Sequence, residues 1–311
     1  MEMIRFSLTL FFIISTASVF AQDDLDQLLD EIESKEKKKE YVTGAFKATR
    51  VVNLPSLEKK APGALEFRIS HRFGPLNGGA YQIFGLDQAT MRLSLEYGIN
   101  RFLMAGFGRS TYEKTFDFYA KATILQQQTG VKNIPFSFLY YFNTAINGLK
   151  WQDPSRENYF SSQLSYVHQL IIGSKLSESF SFQLSPTLIH KNLLPGTQDQ
   201  NGEGFFGLNN SYAIGAAGRV RITKRTALTA EYIYRIPPND TQAPSYSLFY
   251  NSLSIGCDIE TGGHVFQFHV SNSLPMFERG FITETSKSWS DGGIHLGFNI
   301  TRDFTLKRNT K

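Results

Sequence analysis

From Ala64 onward the sequence keeps returning to a period of two, and that rhythm limits the fold more than any other feature. Leu65, Phe67 and Ile69 alternate with Glu66, Arg68 and Ser70, and Met91, Leu93, Leu95 and Tyr97 alternate with Arg92, Ser94 and Glu96. The same pattern recurs around Phe116–Ile124, Phe180–Leu184, Leu228–Tyr234, Leu253–Ile259, Phe266–Val270 and Ile294–Ile300. Successive side chains on a strand point to opposite faces, so each segment is a strand with one apolar and one polar face. Weaker segments at about 101–110, 134–146, 159–173 and 208–222 bring the expected total to about twelve, an even number as a closed barrel requires. Pro135 and Pro186 fall inside two of the expected strands, where a proline cannot donate to the ladder.

The connections are unequal. Gly98-Ile99-Asn100, Ser174 to Ser177, Thr223-Lys224-Arg225 and Thr261-Gly262-Gly263 read as tight turns. Between them fall longer loops at about 74–89, 147–158, 190–207, 237–248 and 273–292, rich in Gly, Pro, Asn, Asp and Ser. Short and long alternate except at Ser110 to Lys114, which is short where a long loop is due. A secreted β-sandwich has no reason to alternate so regularly. An outer-membrane barrel does, with short turns on the periplasmic side and long loops outside.

The N-terminus supports export. Arg5 precedes the short apolar run Phe6 to Ser18, and Val19-Phe20-Ala21 places small residues where a signal peptidase reads. Residues 1–21 are therefore expected to be a signal peptide, with no cysteine near the cleavage point to carry a lipid anchor. Past Ser18 no apolar run is long enough for a helical span, and the mean hydropathy is slightly negative. The chain still carries 27 Phe and 14 Tyr, which suits strands that are apolar on one face only. The single Cys257 can form no internal disulfide.

Residues 22–63 are expected to form an N-terminal periplasmic segment. Within it Leu25, Leu28, Leu29 and Ile32 recur at helical spacing over 23–40, with acids first and lysines last, as a short amphipathic helix prefers. That helix could plug the barrel or dock on a periplasmic protein partner, and a frayed leader is the equal alternative. Residues 64–306 form the barrel and 307–311 a C-terminal tail. A net charge of +4 from 32 basic and 28 acidic residues does not indicate a nucleic-acid binder.

Parity also orients the faces. A cation facing lipid at mid-depth costs about 2–4 kcal/mol, so the charged parity points inward and the apolar parity meets outer-membrane lipid. This places Glu66, Arg68, Arg72, Arg92, Glu96, Asp117, Lys121, Arg219, Arg221, Glu231, Arg235, Asp258, Glu260, His269 and His295 in the lumen. Both signs occur in similar number, so structural filling of a narrow barrel is favoured over a selective solute path. Tyr140-Tyr141-Phe142, Tyr159-Phe160 and Phe249-Tyr250 suit the aromatic girdles at the membrane interfaces.

His71-Arg72-Phe73-Gly74 and Phe84-Gly85-Leu86-Asp87-Gln88-Ala89-Thr90, leading into Arg92 and Glu96-Tyr97-Gly98, resemble an uncharacterised family of bacteroidete outer-membrane β-barrels. So do Gly263-His264-Val265-Phe266-Gln267-Phe268-His269 and Gly297-Phe298-Asn299-Ile300-Thr301-Arg302, and the likeness covers roughly residues 41–306. The resemblance implies location and architecture and carries no catalytic residues.

His269-Val270-Ser271-Asn272 is similar to the His-x-Ser-Asn stretch of outer-membrane phospholipases. A base and nucleophile two apart on a strand share a face. Parity turns this pair toward the lumen, away from the lipid a phospholipase must reach, so no catalytic residue is expected. His269 and His295 with Asp258 or Glu260 could ligate a metal, but lumen filling is the favoured reading. No cofactor signature occurs. The expectation is an all-β, closed antiparallel transmembrane barrel of about twelve strands with a short N-terminal helix. It would act as a narrow channel or transport component for small solutes. A non-conducting barrel that anchors or scaffolds an envelope assembly is the alternative, and a hydrolase a distant third.

Overall fold

The computed structural model describes residues 38–151, 153–155, 157–193, 197–198, 204–205, 208–238 and 244–306. The expected signal peptide, the expected helix up to residue 37, and the 307–311 tail lie outside them. A small unit comprises residues 38–41 and 127–134, in which Glu40 and Tyr41 pair antiparallel with Thr129 and Gln128.

The larger unit is a closed barrel. Its strands are β1 (Ala64–Pro75), β2 (Ala89–Gly98), β3 (Leu103–Ser110), β4 (Phe116–Leu125), β5 (Ser137–Ile146), β6 (Leu164–Lys175), β7 (Phe180–Lys191), β8 (Asn210–Arg221), β9 (Thr226–Arg235), β10 (Ser252–Thr261), β11 (His264–Ser271) and β12 (His295–Thr305). Every neighbour pair is antiparallel and sequential, and β12 closes on β1 with Ile300 opposite Ile69 and Thr305 opposite Ala64. Closure removes the exposed edge that an open sheet would present. The two prolines fall as their chemistry demands. Pro135 precedes β5, while Pro186 sits within β7 opposite Ile214, and the β6–β7 pairing is interrupted between Gln169↔Thr187 and Ile172↔Leu184 with its register kept.

At one end the connections are tight and self-capped. Asn100 Oδ1 accepts from the Phe102 and Leu103 N–H groups, Ser177 Oγ from Ser179 and Phe180, and Thr223 Oγ1 from Arg225 and Thr226. Gly262 and Gly263 take positive φ in the two-residue turn between β10 and β11, a conformation glycine adopts without a Cβ clash. One connection at this end, between β4 and β5, is longer than the others. At the opposite end the connections are long, apart from the short one between β3 and β4.

Side chains alternate as parity requires. Outward residues such as Leu93, Phe118, Leu184, Leu228 and Phe268 are exposed, and the alternate positions are buried. Two departures from the expected layout matter. Residues 45–57 do not stand outside the barrel: all but the half-buried Lys47 are buried, bonded to inward-facing side chains. The long connection after β11 also folds inward, with helix α1 (Glu278–Thr283) buried along its whole length. Neither segment has a period, because what it contacts is a curved wall rather than a neighbouring strand.

Candidate functional site: the plugged lumen

The plug is a tight turn of chain whose backbone bonds mostly to the wall. Val51 N–H donates to Leu54 C=O at 2.8 Å and Ser56 N–H to Thr49 C=O at 2.9 Å, so residues 49–56 fold into a hairpin-like loop. Its remaining backbone groups need partners, since a buried polar group without one costs about 1–3 kcal/mol. Glu231 on β9 supplies a carboxylate at the tip. It accepts from the N–H groups of Val52 at 3.2 Å, Asn53 at 2.9 Å and Leu54 at 2.9 Å. Lys121 on β4 does the converse at the base, donating to the carbonyls of Thr49 at 3.0 Å, Ser56 at 2.8 Å and Glu58 at 2.7 Å. One anion thus gathers donors and one cation gathers acceptors.

Other wall residues complete the grip. Arg68 donates to Thr49 Oγ1 at 2.7 Å and pairs with Glu66 at 2.7 Å. Arg72 donates to Asn53 Oδ1 at 2.7 Å. Gln267 donates to Val51 C=O at 2.8 Å, Asn299 to Val52 C=O at 3.2 Å, and Gln183 to Pro55 C=O at 2.8 Å while accepting from Leu57 N–H. A Cβ at Gly215 on β8 would stand only 2.9 Å from Leu54 Cδ1, so the missing side chain makes room for the plug.

The second occupant meets the first. Arg50 of the plug pairs with Glu278 of α1 at 2.7 Å, with both side chains almost wholly buried, and Tyr141 Oη donates to the same carboxylate oxygen at 2.6 Å. Phe281 and Ile282 of α1 share an apolar cluster with Val51, Leu54 and the inward residues Leu139, Val167, Ile171, Ile189 and Ile233. Around α1, Arg279 bonds Glu113 and lies 2.8 Å from Glu284, which also meets Lys191 at 2.8 Å. Burial works against the Arg279 charge, but Glu284 and Glu113 outweigh it and hold its pKa above the usual arginine value. Burial likewise opposes the Glu284 charge, and Arg279 and Lys191 overcome it, holding that carboxyl below its ordinary 4.5. Burial, then Glu284 and Glu113, push the nearby Tyr112 hydroxyl up to about 12.

The structure divides the residues singled out from sequence. Lys121, Glu231, Arg68, Arg72 and Arg219 bind the plug, Arg219 through Gly44 C=O at 2.8 Å. Arg92 and Asp117 pair with each other through bonds of 3.0 and 2.5 Å. Glu66 adds Lys60 as a partner, Glu96 accepts from Tyr119 Oη, and Asp258 accepts from Gln267. Arg235 binds the carbonyls of Tyr246 and Phe249 in the loop after β9. Arg221 and Glu260 sit at the rim of the short-turn end, half-buried and exposed respectively.

His269 and His295 are buried, but His269 contacts the Arg72 guanidinium and His295 the Phe73 carbonyl. A fixed cation beside His269 is a poor neighbour for a metal, and among the described residues no three His, Cys, Asp or Glu gather into a metal-holding group. Ser271 Oγ accepts from Ser254 Oγ at 2.9 Å.

Sequence reasoning placed Tyr141 in an interfacial girdle. It instead points inward, because it shares parity with Leu139 and Asn143, while Tyr140 and Phe142 face outward beside His168. Arg50, Asn53, Glu278 and Arg279 were not singled out, since each lies in an aperiodic stretch.

The fold and its filled interior define an integral membrane β-barrel whose lumen is occupied by segments of its own chain. The chain belongs to the family described as Membrane bound beta barrel domain (DUF5777), which matches residues 46–304, and it is an outer-membrane protein. The matched span includes the plug from Phe46 onward. Among solved structures, the NanC porin is similar at TM-score 0.47 and 10% identity, over 78% of this chain and 100% of that one. An outer membrane channel from Pseudomonas putida F1 is similar at TM-score 0.47 and 10% identity, over 79% and 97%. Outer membrane phospholipase A from Escherichia coli is similar at TM-score 0.41 and 11% identity, over 79% and 93%. Among curated proteins none matches this chain.

Proposed function

We propose that this protein is a gated outer-membrane channel for small solutes, closed at rest by residues 42–61 and opened when that segment leaves the lumen. The observation that carries the reading is the surface the plug would leave behind. Beneath it lie Arg68, Arg72, Lys121, Glu231, Gln267 and Asn299, each bonded to plug atoms that water could replace. Burying such charges is a poor route to stability, and apolar filling of equal volume would commonly be neutral or better. A charged wall makes sense where the wall is at times wet. In this reading the short turns face the periplasm, and residues 23–40 run into the plug, so a periplasmic partner binding there would act on it through the chain. The bacteroidete attribution rests on the sequence resemblance and belongs to this same proposal.

A non-conducting scaffold is favoured by one feature, the Arg50–Glu278 pair that ties the two lumen occupants together. Planar-bilayer recording separates the readings. Wild-type protein should be silent, and Lys121→Met combined with Glu231→Gln should give single-channel steps. A variant lacking 42–61 that still shows the gel shift of a folded barrel yet stays silent would sink the channel and support the scaffold.

A further inference from the structure

At the short-turn end the plug and wall together enclose an open pocket of about 260 Å³, lined by Phe46 and Lys47 of the plug and by Lys175, Arg219, Arg221 and Glu260 of the wall. Four of these are cations. Glu260 lies 2.5 Å from Lys47, Glu178 bonds Lys175 at 2.9 Å and Arg221 at 3.3 Å, and Glu58 and Asp258 act on Arg219 from behind the lining. Among the lining side chains themselves four bases face one acid, so the concave surface is cationic. Arg219 is 3% exposed, gives one nitrogen to Gly44 C=O, and keeps a buried Nε with no hydrogen-bond partner among the described residues. Buried donors of this kind are ordinarily satisfied, so an unmet guanidinium N–H in a cationic pocket is a place for an acceptor.

We infer that this pocket binds a small soluble anion bearing phosphate or carboxylate groups, and that the bound anion holds the plug in place. The sign of the effect follows from the lining. Because Phe46 and Lys47 belong to the plug and the other residues to β6, β8 and β10, the complete pocket exists only while the plug is seated. A ligand that binds one state alone shifts the equilibrium toward it by a factor of one plus its concentration over Kd. The anion is therefore a closing ligand. This goes beyond the channel proposal without depending on it, since plug retention can be read without any conductance.

The test uses the full chain folded in neutral detergent, with pyrophosphate as the probe and its Kd taken from calorimetry. Trypsin cleavage after Arg50, which is buried beyond the pocket, reports plug release when opening is rapid relative to cleavage. At ten times Kd, pyrophosphate should slow that cleavage about tenfold, and sodium chloride at matched ionic strength should not. For each protein the rate is compared with and without pyrophosphate, so differences in basal stability cancel. Loss of one charge-assisted contact in Arg221→Gln should weaken binding about tenfold and reduce the protection to about twofold at the same pyrophosphate concentration. Undiminished protection in Arg221→Gln, no protection in the wild type, or accelerated cleavage would each overturn the proposal. So would equal protection by phosphatidylglycerol in the micelle without pyrophosphate, which would assign the pocket to a lipid headgroup.

Discussion

The inner wall has two unlike halves. Along β9–β12 and β1–β4 it is polar and charged, and it holds the plug by directional bonds from Glu231, Gln267, Asn299, Arg68, Arg72 and Lys121. Along β5–β8 it carries Leu139, Tyr141, Val167, Ile171, Ile189, Ala213 and Ala217, covered by Phe281 and Ile282 of α1 and by apolar plug side chains. The first half specifies where each backbone atom of the plug sits. The second contributes burial that is indifferent to register, at roughly 25 cal/mol per Å² of apolar area. The difference shows how one lumen can hold two occupants: the plug is held chiefly through its backbone, while the α1 segment joins apolar packing to the side-chain pairs Glu278–Arg50, Arg279–Glu113 and Glu284–Lys191.

The largest expected effect comes from breaking the directional half. Glu231→Ala leaves three plug N–H groups without their carboxylate and should weaken plug seating by about 3–5 kcal/mol. The rate of tryptic cleavage after Arg50 checks it. If Glu231→Ala leaves that rate unchanged, the charged half is not the anchor. Phe281→Ala attacks the other half and should destabilise the inward-folded loop by about 3 kcal/mol, read from the urea midpoint of the Trp289 fluorescence change. Trp289 is the natural reporter, since its indole N–H donates to Leu253 C=O at 3.0 Å. An equal effect of Phe281→Ala on Arg50 cleavage would show that the occupants leave together.

Gly215→Ala lies where the plug meets the apolar half. The new methyl would crowd Leu54 and cost about 1–3 kcal/mol of plug seating, measured by the same cleavage assay. Acid should loosen the segment around α1. The Glu284 carboxyl is held below 4.5, so its contribution is complete above the ordinary carboxylate range and is lost as pH falls through the depressed value. Trp289 emission should therefore change below about pH 4 in the wild type but not in Glu284→Gln. Smallest of all is Asp303→Asn, which removes a partly exposed pair with Lys60 and should change stability by less than about 1 kcal/mol.

Much of this architecture is legible along the chain. The alternation of Leu93 with Arg92 and Ser94, or of Leu228 with Thr229, reports the strand and its wet and greasy faces, because period and polarity are local properties. The turns are equally local, since Asn100, Ser177 and Thr223 cap them from within a few residues. The inward parity of Lys121 and Glu231 was readable in the same way, but their partners were not. Phe46 to Ser56 has no strand period, no helix period and no motif, and its hydrogen bonds run to residues up to 247 positions away.

By itself, then, the sequence determined a membrane barrel with about a dozen one-faced strands, a charged interior and unequal ends. Only the tertiary structure decided that the interior is filled, by residues 45–57 from one side and by α1 from the other. The reason is physical. A strand announces itself through its own repeating contacts, whereas a plug is defined by the surface that receives it, and that surface exists only after twelve separate strands have closed.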